Sequence, residues 1–237
     1  MSGHSHWAGI KQKKGLNDAK RGKVFTKHGK MISIAARDGG GDPSTNFSLR
    51  LVIERAKADN MPKENIERAI KRGTGELKGE ELSEIIYEAI GPGNIMMIIK
   101  TATDNRNRTV SEIKSILTKA GGKMAEMGSS MWNFEQVGRI YVELDKEDQE
   151  KIELMAIEAG AKDLQSEEAG MIVFTEPQEL GKIQSELDSK NVKIAEAGLI
   201  FLPKNTVQID KITRQNYEKL LETLDDQDDV EEIYDNL

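Results

Sequence analysis

Across residues 73–79, a stretch broken by Gly73, Gly75 and Gly79, the hydrophobic period of the chain changes from 3.6 residues to 2. Upstream, Val24, Phe25, His28, Met31, Ile32 and Ala35 fall on one helical stripe. Leu49, Val52, Ile53 and Ala56 make a second, and Ile66, Ala69 and Ile70 a third. Downstream come short apolar runs bounded by glycine and proline, the pattern of strands. The pattern predicts a small helical bundle over 17–73 followed by αβ domains. At 237 residues the chain is long enough for two or three cores.

The first helix is expected over Asn17–Arg37. The run Gly39-Gly40-Gly41-Asp42-Pro43 has the glycine content of a phosphate loop, but no Gly-Lys-Ser/Thr follows it and no apolar strand precedes it. Glycine past a last helical turn, Asp42 as N-cap and Pro43 at the first helical position describe a helix-to-helix turn instead. The second helix then runs to about Asp59, with Arg50, Arg55 and Lys57 outward. A third, ENIERAIKR, restarts after Met61-Pro62 and ends at Gly73.

Beyond the linker, Ile85–Ile90 and Ile95–Thr101 read as two strands joined across Gly91-Pro92-Gly93-Asn94. A helix over Thr109–Ala120 and a strand near Met131–Gln136 follow. Residues 138–202 then alternate β-α-β-β-α-β, a ferredoxin-like unit. Residues 210–237 add a helix (Arg214–Leu224) and a last strand (Val230–Tyr234). The expected fold is α+β multidomain: an N-terminal helical bundle plus two αβ domains, the ferredoxin-like one inserted in the other. The boundaries read as 1–79, 80–136 with 203–237, and 137–202.

Charge divides along the same line. Residues 1–75 hold 16 Lys+Arg against 7 Asp+Glu, and residues 76–237 hold 18 against 34, although the whole chain carries only −7. Such asymmetry points to a polyanion-binding module on an acidic body. Residues 1–16 read as an arm that orders on contact, with Lys11, Lys13 and Lys14 for phosphates and Trp7 to stack on a base. The bland alternative tucks Trp7 back onto the body. In the first helix Lys20, Arg21, Lys23, Lys27, Lys30 and Arg37 are expected to form an outward basic ridge, because no carboxylates are interleaved four residues away. Arg106 and Arg108, in DNRNR at a helix N-terminus, are candidates for an anion contact, and they could equally pair with nearby carboxylates. The acidic C-terminal stretch LDDQDDVEEIYDNL is expected to be a solvating end.

GHSHW, DAKRGKVFTK, the GGGDP turn, NMPKENIERAIKRGTGE and TDNRNRTVSEIK resemble the YebC/PmpR family of bacterial gene-expression regulators over essentially the whole chain. His6, where that family commonly has lysine, and Gln12, where it often has histidine, depart from the pattern and slightly weaken the cationic arm. The resemblance implies a helical domain followed by two αβ domains. It also implies nucleic-acid-binding regulation, either as a DNA-binding transcription regulator or as a ribosome-associated factor that assists translation elongation.

Other classes fare less well. The chain has no cysteine, so disulfides, a thiolate nucleophile and cysteine metal sites are excluded. All three histidines lie within residues 1–28, and no metal-ligand spacing, nucleophile elbow or cofactor motif is present. Loss of the initiator Met would make His4 the third residue of a square-planar Cu(II) or Ni(II) chelate, which is read as incidental. His28, on the apolar stripe, is read as a packed histidine. A carboxylate site from Asp104, Glu88 and Glu112 is the weak enzymatic alternative, and a protein-interaction scaffold is a third reading. The longest apolar run, Ile95-Met96-Met97-Ile98-Ile99, falls far short of the roughly 20 residues that span a bilayer. No signal-peptide core opens the chain, and a soluble, cytoplasmic protein without cofactor is expected. The preferred reading is a non-enzymatic binder of nucleic acid, with ribosomal RNA favoured and DNA the alternative.

Overall fold

The computed structural model describes residues 18–79, 81–143, 149–167 and 170–237, with side chains from Arg21 onward. Helices α1 (Asp18–Gly39), α2 (Phe47–Ala58) and α3 (Lys63–Gly73) form the bundle. Its core is Ile32, Ala36, Leu49, Ile53, Ala56, Met61, Ile66 and Ala69, with Phe25, Ala35, Val52 and Ile70 packed against it. The apolar spacing of the three segments therefore does what its period requires. Gly40, at φ +86°, takes the left-handed position after α1 and its amide bonds the Ala36 carbonyl at 2.9 Å. The cap of α2 is Asn46 and not Asp42: its side chain accepts from the Leu49 amide at 3.0 Å and donates to the Ala35 and Gly40 carbonyls. Asp42 instead opens a turn, accepting from the Ser44 and Asn46 amides. Four residues of turn were thus read as helix, because Asp-Pro suits both places.

The second layer is a four-stranded sheet of order β3-β1-β2-β8, built from β1 (Ser83–Ile90), β2 (Met96–Thr103), β3 (Lys123–Met124) and β8 (Val230–Asp235). Strands β1 and β2 pair antiparallel from Ser83↔Thr103 to Ile90↔Met96, and β2 pairs antiparallel with β8. Helices α4 (Arg106–Lys119) and α7 (Lys211–Asp225) cover one face, burying Met97, Ile99, Ile113, Leu117, Tyr217 and Leu221 in one cluster. The C-terminal stretch is thus no solvating end: Val230–Asp235 is a strand of this sheet, and Asp229 and Asp235 are buried.

A separate αβ unit comprises β4 (Phe134–Glu143), α5 (Gln149–Ala159), β5 (Asp163–Glu167), β6 (Gly170–Thr175), α6 (Leu180–Ser189) and β7 (Ile194–Pro203), with sheet order β5-β6-β4-β7. This is the ferredoxin-like arrangement. Of the strand expected near Met131–Gln136, Met131–Asn133 is instead a 3-10 turn, and the rest is continuous with the strand expected over 138–144 as β4. Gly138 does not break it but lets Thr175 and Leu180 approach, since a Cβ there would collide with both. The fourth strand of the other sheet is the two-residue β3, too short to carry a periodic signal.

The chain divides into two compact units, one ending at Glu135 and resuming at Leu202–Leu237, the other Gln136–Phe201. The bundle and the β3-β1-β2-β8 sheet belong to the first. No helix among the described residues is long and apolar enough to cross a membrane.

Candidate nucleic-acid interface

Helix α1 has two working faces. One packs into the bundle through Ile32 and Ala36. The other carries Lys23, Lys27 and Lys30, which recur at i, i+4 and i+7 and therefore share a side. That side turns away from solvent at Lys27 and Lys30, for which the expectation of an outward ridge is corrected, while Lys23 remains about half exposed. Lys23 Nζ donates to the Asp226 carbonyl at 2.8 Å and lies 3.5 Å from Asp228 Oδ1. Lys27 Nζ donates to the Asp225 carbonyl at 2.7 Å, with Asp225 Oδ1 at 3.6 Å. Lys30 Nζ reaches Asp229 Oδ1 at 2.6 Å, the Asp228 carbonyl at 2.9 Å and the Ala102 carbonyl at 3.2 Å. Lys27 is only 8% exposed. The lysines thus close the C-terminal end of α7, where orphan carbonyls and the helix dipole favour cations. Sequence spacing showed that no carboxylate sat four residues away; the carboxylates come from about 200 residues further along the chain.

Asp229 is the hub of this contact. Its side chain, 2% exposed, accepts from Lys30, from Thr109 Oγ1 at 2.7 Å, from Arg108 at 3.0 Å and from Thr103 Oγ1 at 3.1 Å. Burial by itself would raise this carboxyl, but the hydrogen bonds from Lys30, Thr109 and Arg108 hold it well below the usual carboxylate range. A second link joins α2 to the sheet: Arg55 donates to Glu232 Oε1 at 2.6 Å. Burial again pushes the Glu232 carboxyl up, and the Arg55 and Lys100 charges bring it below its ordinary value. Arg37 stays exposed, bonding Asp38 Oδ1 at 2.8 Å and the Leu82 carbonyl.

The other predicted residues are distributed as follows. Trp7, Lys11, Lys13 and Lys14 lie outside the described residues, as do His4 and His6. Lys20 falls within α1, and Arg21 is exposed near its start. His28 Nε2 lies 2.6 Å from Asp59 Oδ2, so this half-buried histidine tethers α1 to the end of α2. At the start of α4 an open depression is lined by Glu81, Ser83, Asp104, Asn105, Arg106 and Arg108. Arg108 turns to Asp104 (2.7 Å) and Asp229 (3.0 Å). Arg106 is exposed and has no hydrogen bond or ion pair with the described residues. Of the pair, Arg108 took the carboxylate option and Arg106 did not.

The weighed acid site does not assemble. Glu88 is buried and accepts the amides of Gly128 (2.5 Å), Ser130 (2.6 Å) and Met131 (2.9 Å). Asp104 pairs with Arg108, and Glu112 accepts from Gln227 at 2.8 Å. Among the described residues no group of three or more His, Cys, Asp or Glu is placed to hold a metal ion. Sequence reasoning missed the partners of the basic helix, Asp225, Asp228 and Asp229. The opposed charge totals of the two segments were the signal that could have found them.

Fold and charge together define a multidomain α+β protein in which a cationic helical module is held by ion pairs on an acidic αβ body. The chain belongs to the TACO1/YebC family: residues 5–76 match the TACO1/YebC protein N-terminal domain and residues 82–237 the TACO1/YebC second and third domain. A relative from Thermotoga maritima is 48% identical over 240 residues, covering 100% of this chain and 93% of its own length. One from Halothermothrix orenii is 45% identical over 239 residues, covering 100% and 94%. Both are named "Probable transcriptional regulatory protein". The crystal structure of a conserved hypothetical protein from Aquifex aeolicus is similar with a TM-score of 0.87 at 45% identity, covering 98% of this chain and 96% of that one.

Proposed function

We propose that the chain is a non-enzymatic nucleic-acid-binding regulator of gene expression, acting on ribosomal RNA to assist translation elongation. The observation that carries this reading is the joining of a strongly cationic segment, residues 1–75, to an acidic remainder. In it Lys11, Lys13 and Lys14 neutralise phosphates, Trp7 stacks on a base, and Lys20, Arg21 and Arg37 extend the cationic track. Arg106, exposed at the start of α4, adds a cation outside the bundle. An acidic body keeps all but that tip away from RNA, which suits a cleft walled by phosphates.

RNA is preferred to a DNA operator because no described helix presents a set of Arg, Asn and Gln suited to reading a major groove, and several arginines of the bundle are turned to neighbours. Arg50 stacks 5.3 Å over the Phe47 ring, Arg55 holds Glu232, and Arg68 donates to Asn65 at 2.6 Å. The printed names of the relatives favour a second reading, a DNA-binding regulator of transcription.

Sedimentation of lysate after crosslinking separates the two. Co-migration with ribosomes and crosslinks to ribosomal RNA are expected; crosslinks confined to promoter DNA would establish the second reading. Replacing Lys11, Lys13 and Lys14 with Ala should weaken RNA binding uniformly across sequences and flatten the log–log salt slope by about 2, at roughly 0.7 per lost phosphate contact.

A further inference from the structure

The lysine row of α1 meets a turn of its own chain that covers Lys27 and Lys30 and leaves Lys23 about half exposed, and the cover offers the chemistry of a phosphate backbone. Lys23, Lys27 and Lys30 span about 10 Å along one helix face, at 1.5 Å per residue. Their ammonium groups rest on carbonyl and carboxylate oxygens of Asp225, Asp226, Asp228 and Asp229. An ammonium is a point charge that accepts any dense set of anionic oxygens, and a phosphodiester chain presents such a set. We infer that the Asp225–Asp229 turn is an intramolecular mask that keeps this row from nucleic acid until a polyanion displaces it. The inference rests on the nucleic-acid reading above and adds its regulation.

Two features distinguish a mask from a permanent joint. The row's recorded contacts with the turn are polar, and a joint built for stability alone gains little from buried ion pairs compared with apolar packing. The contacts are also graded along α1. At its inner end Lys30 and Asp229 meet at 2.6 Å, with Asp229 2% exposed and fixed by Thr103, Thr109 and Arg108. Towards the N-terminal end the main-chain carbonyls still accept from Lys27 and Lys23 at 2.7 and 2.8 Å, but the carboxylates stand off at 3.6 Å (Lys27–Asp225) and 3.5 Å (Lys23–Asp228), and Asp225 and Asp228 are 28% and 70% exposed. The weaker carboxylate contacts lie toward the N-terminal end of α1. An RNA strand engaged there would reach Lys23 first, then Lys27, with Asp229 holding the base of the turn in place.

The test uses the full chain and a fluorescent single-stranded RNA of 20 nucleotides. D225N/D228N removes two carboxylates and leaves the Asp225 and Asp226 carbonyls; it should bind about tenfold more tightly, with a salt slope steeper by about 1.4 as Lys23 and Lys27 pass from those carbonyls to phosphates. A control that removes two distant charges, Glu150→Gln with Asp188→Asn, should change affinity less than twofold. Adding Lys27→Ala should abolish most of the gain in D225N/D228N while altering the wild-type chain little. On the unmutated protein, carbodiimide coupling should yield Lys27–Asp225 and Lys23–Asp228 linked peptides that fall several-fold when RNA is saturating. Equal affinity of wild type and D225N/D228N, a gain matched by the control, or coupling unaffected by RNA would overturn the mask while leaving RNA binding intact. Absence of binding by every variant would overturn the nucleic-acid reading and the mask with it.

Discussion

At the scale of single residues, Asp229 carries more of the architecture than any other carboxylate described. It joins α1 through Lys30, α4 through Thr109 and Arg108, and β2 through Thr103. Its carboxyl lies below the ordinary value in the folded chain, so the sign of its pH effect follows. Above pH about 4, the usual carboxylate pKa, both folded and unfolded chains are ionised and the contribution is complete. Below that, the unfolded chain takes up its proton first, and stability is lost as pH falls toward the folded value. Denaturant titrations between pH 6 and 2.5 should show this decline, and Asp229→Asn should flatten it; an unchanged slope would place the acid sensitivity elsewhere. Asp229→Ala should cost about 3 kcal/mol at neutral pH, since it leaves Lys30 and Arg108 without their buried partner. Nothing in the local sequence marks Asp229 among its neighbours Asp225, Asp226 and Asp228. Only the fold decides which of four similar carboxylates is buried.

At the scale of elements, periodicity reported what its physics allows. The apolar stripes of α1, α2 and α3 were legible because a bundle core selects residues every three to four positions, and β2 because a strand buried on both faces, as Met97, Ile98 and Ile99 are, reads as a short continuous apolar run. What the period cannot say is what lies against the other face. The lysines of α1 satisfy an outward amphipathic pattern, yet they meet a turn distant in sequence, because an ammonium ending a long apolar stem is as much at home against helix C-terminal carbonyls as in water. Close backbone approach is equally silent in sequence. Gly73 ends α3 against α1, where a Cβ would collide with the Ser33 carbonyl oxygen and press on the Ala36 methyl, and Ser33 Oγ donates to the Ala69 carbonyl at 2.9 Å. Gly73→Ala should therefore destabilise the bundle by about 1–3 kcal/mol, as overpacking does, despite the better helix propensity of alanine. Thermal unfolding measures it, and a rise in Tm would show that α3 can shift. The buried Glu88 offers a parallel case: its two oxygens hold the amides of Gly128, Ser130 and Met131, and Glu88→Gln, which turns one acceptor into a donor, should cost about 2 kcal/mol. Loss of protection of those amides in hydrogen exchange would localise the effect.

At the scale of the whole molecule, the insertion of one αβ unit in another was readable because β-α-β-β-α-β closes on itself while the segments around it do not. The two-residue β3 and the continuity of β4 were not, since one is below the length of any pattern and the other runs through a glycine. Strands β4 and β7 are neighbours in one sheet, and just outside them the chain is stitched together: the Lys204 amide bonds the Asn133 carbonyl at 2.7 Å, and the Asn205 amide bonds Asn133 Oδ1 at 3.1 Å. The exit from and return to the first unit therefore lie side by side, which is the geometry that tolerates excision, because closing a short gap costs little chain entropy. Replacing Gln136–Phe201 by a flexible linker of a few glycines and serines should leave a folded remainder. Its Lys27–Asp225 and Arg55–Glu232 ion pairs, all within the first unit, should persist. Gln136–Phe201 expressed alone should in turn unfold cooperatively. The two fragments' unfolding transitions and amide spectra, compared with those of the full chain, provide the check: a remainder that melts without a cooperative transition would mean that the first unit needs its insert to fold. If it folds, the excised chain retains the lysine row, the turn that covers it and the basic N-terminal residues. RNA affinity and salt slope equal to those of the full chain would then assign nucleic-acid binding to the first unit and leave the ferredoxin-like insert for a different partner.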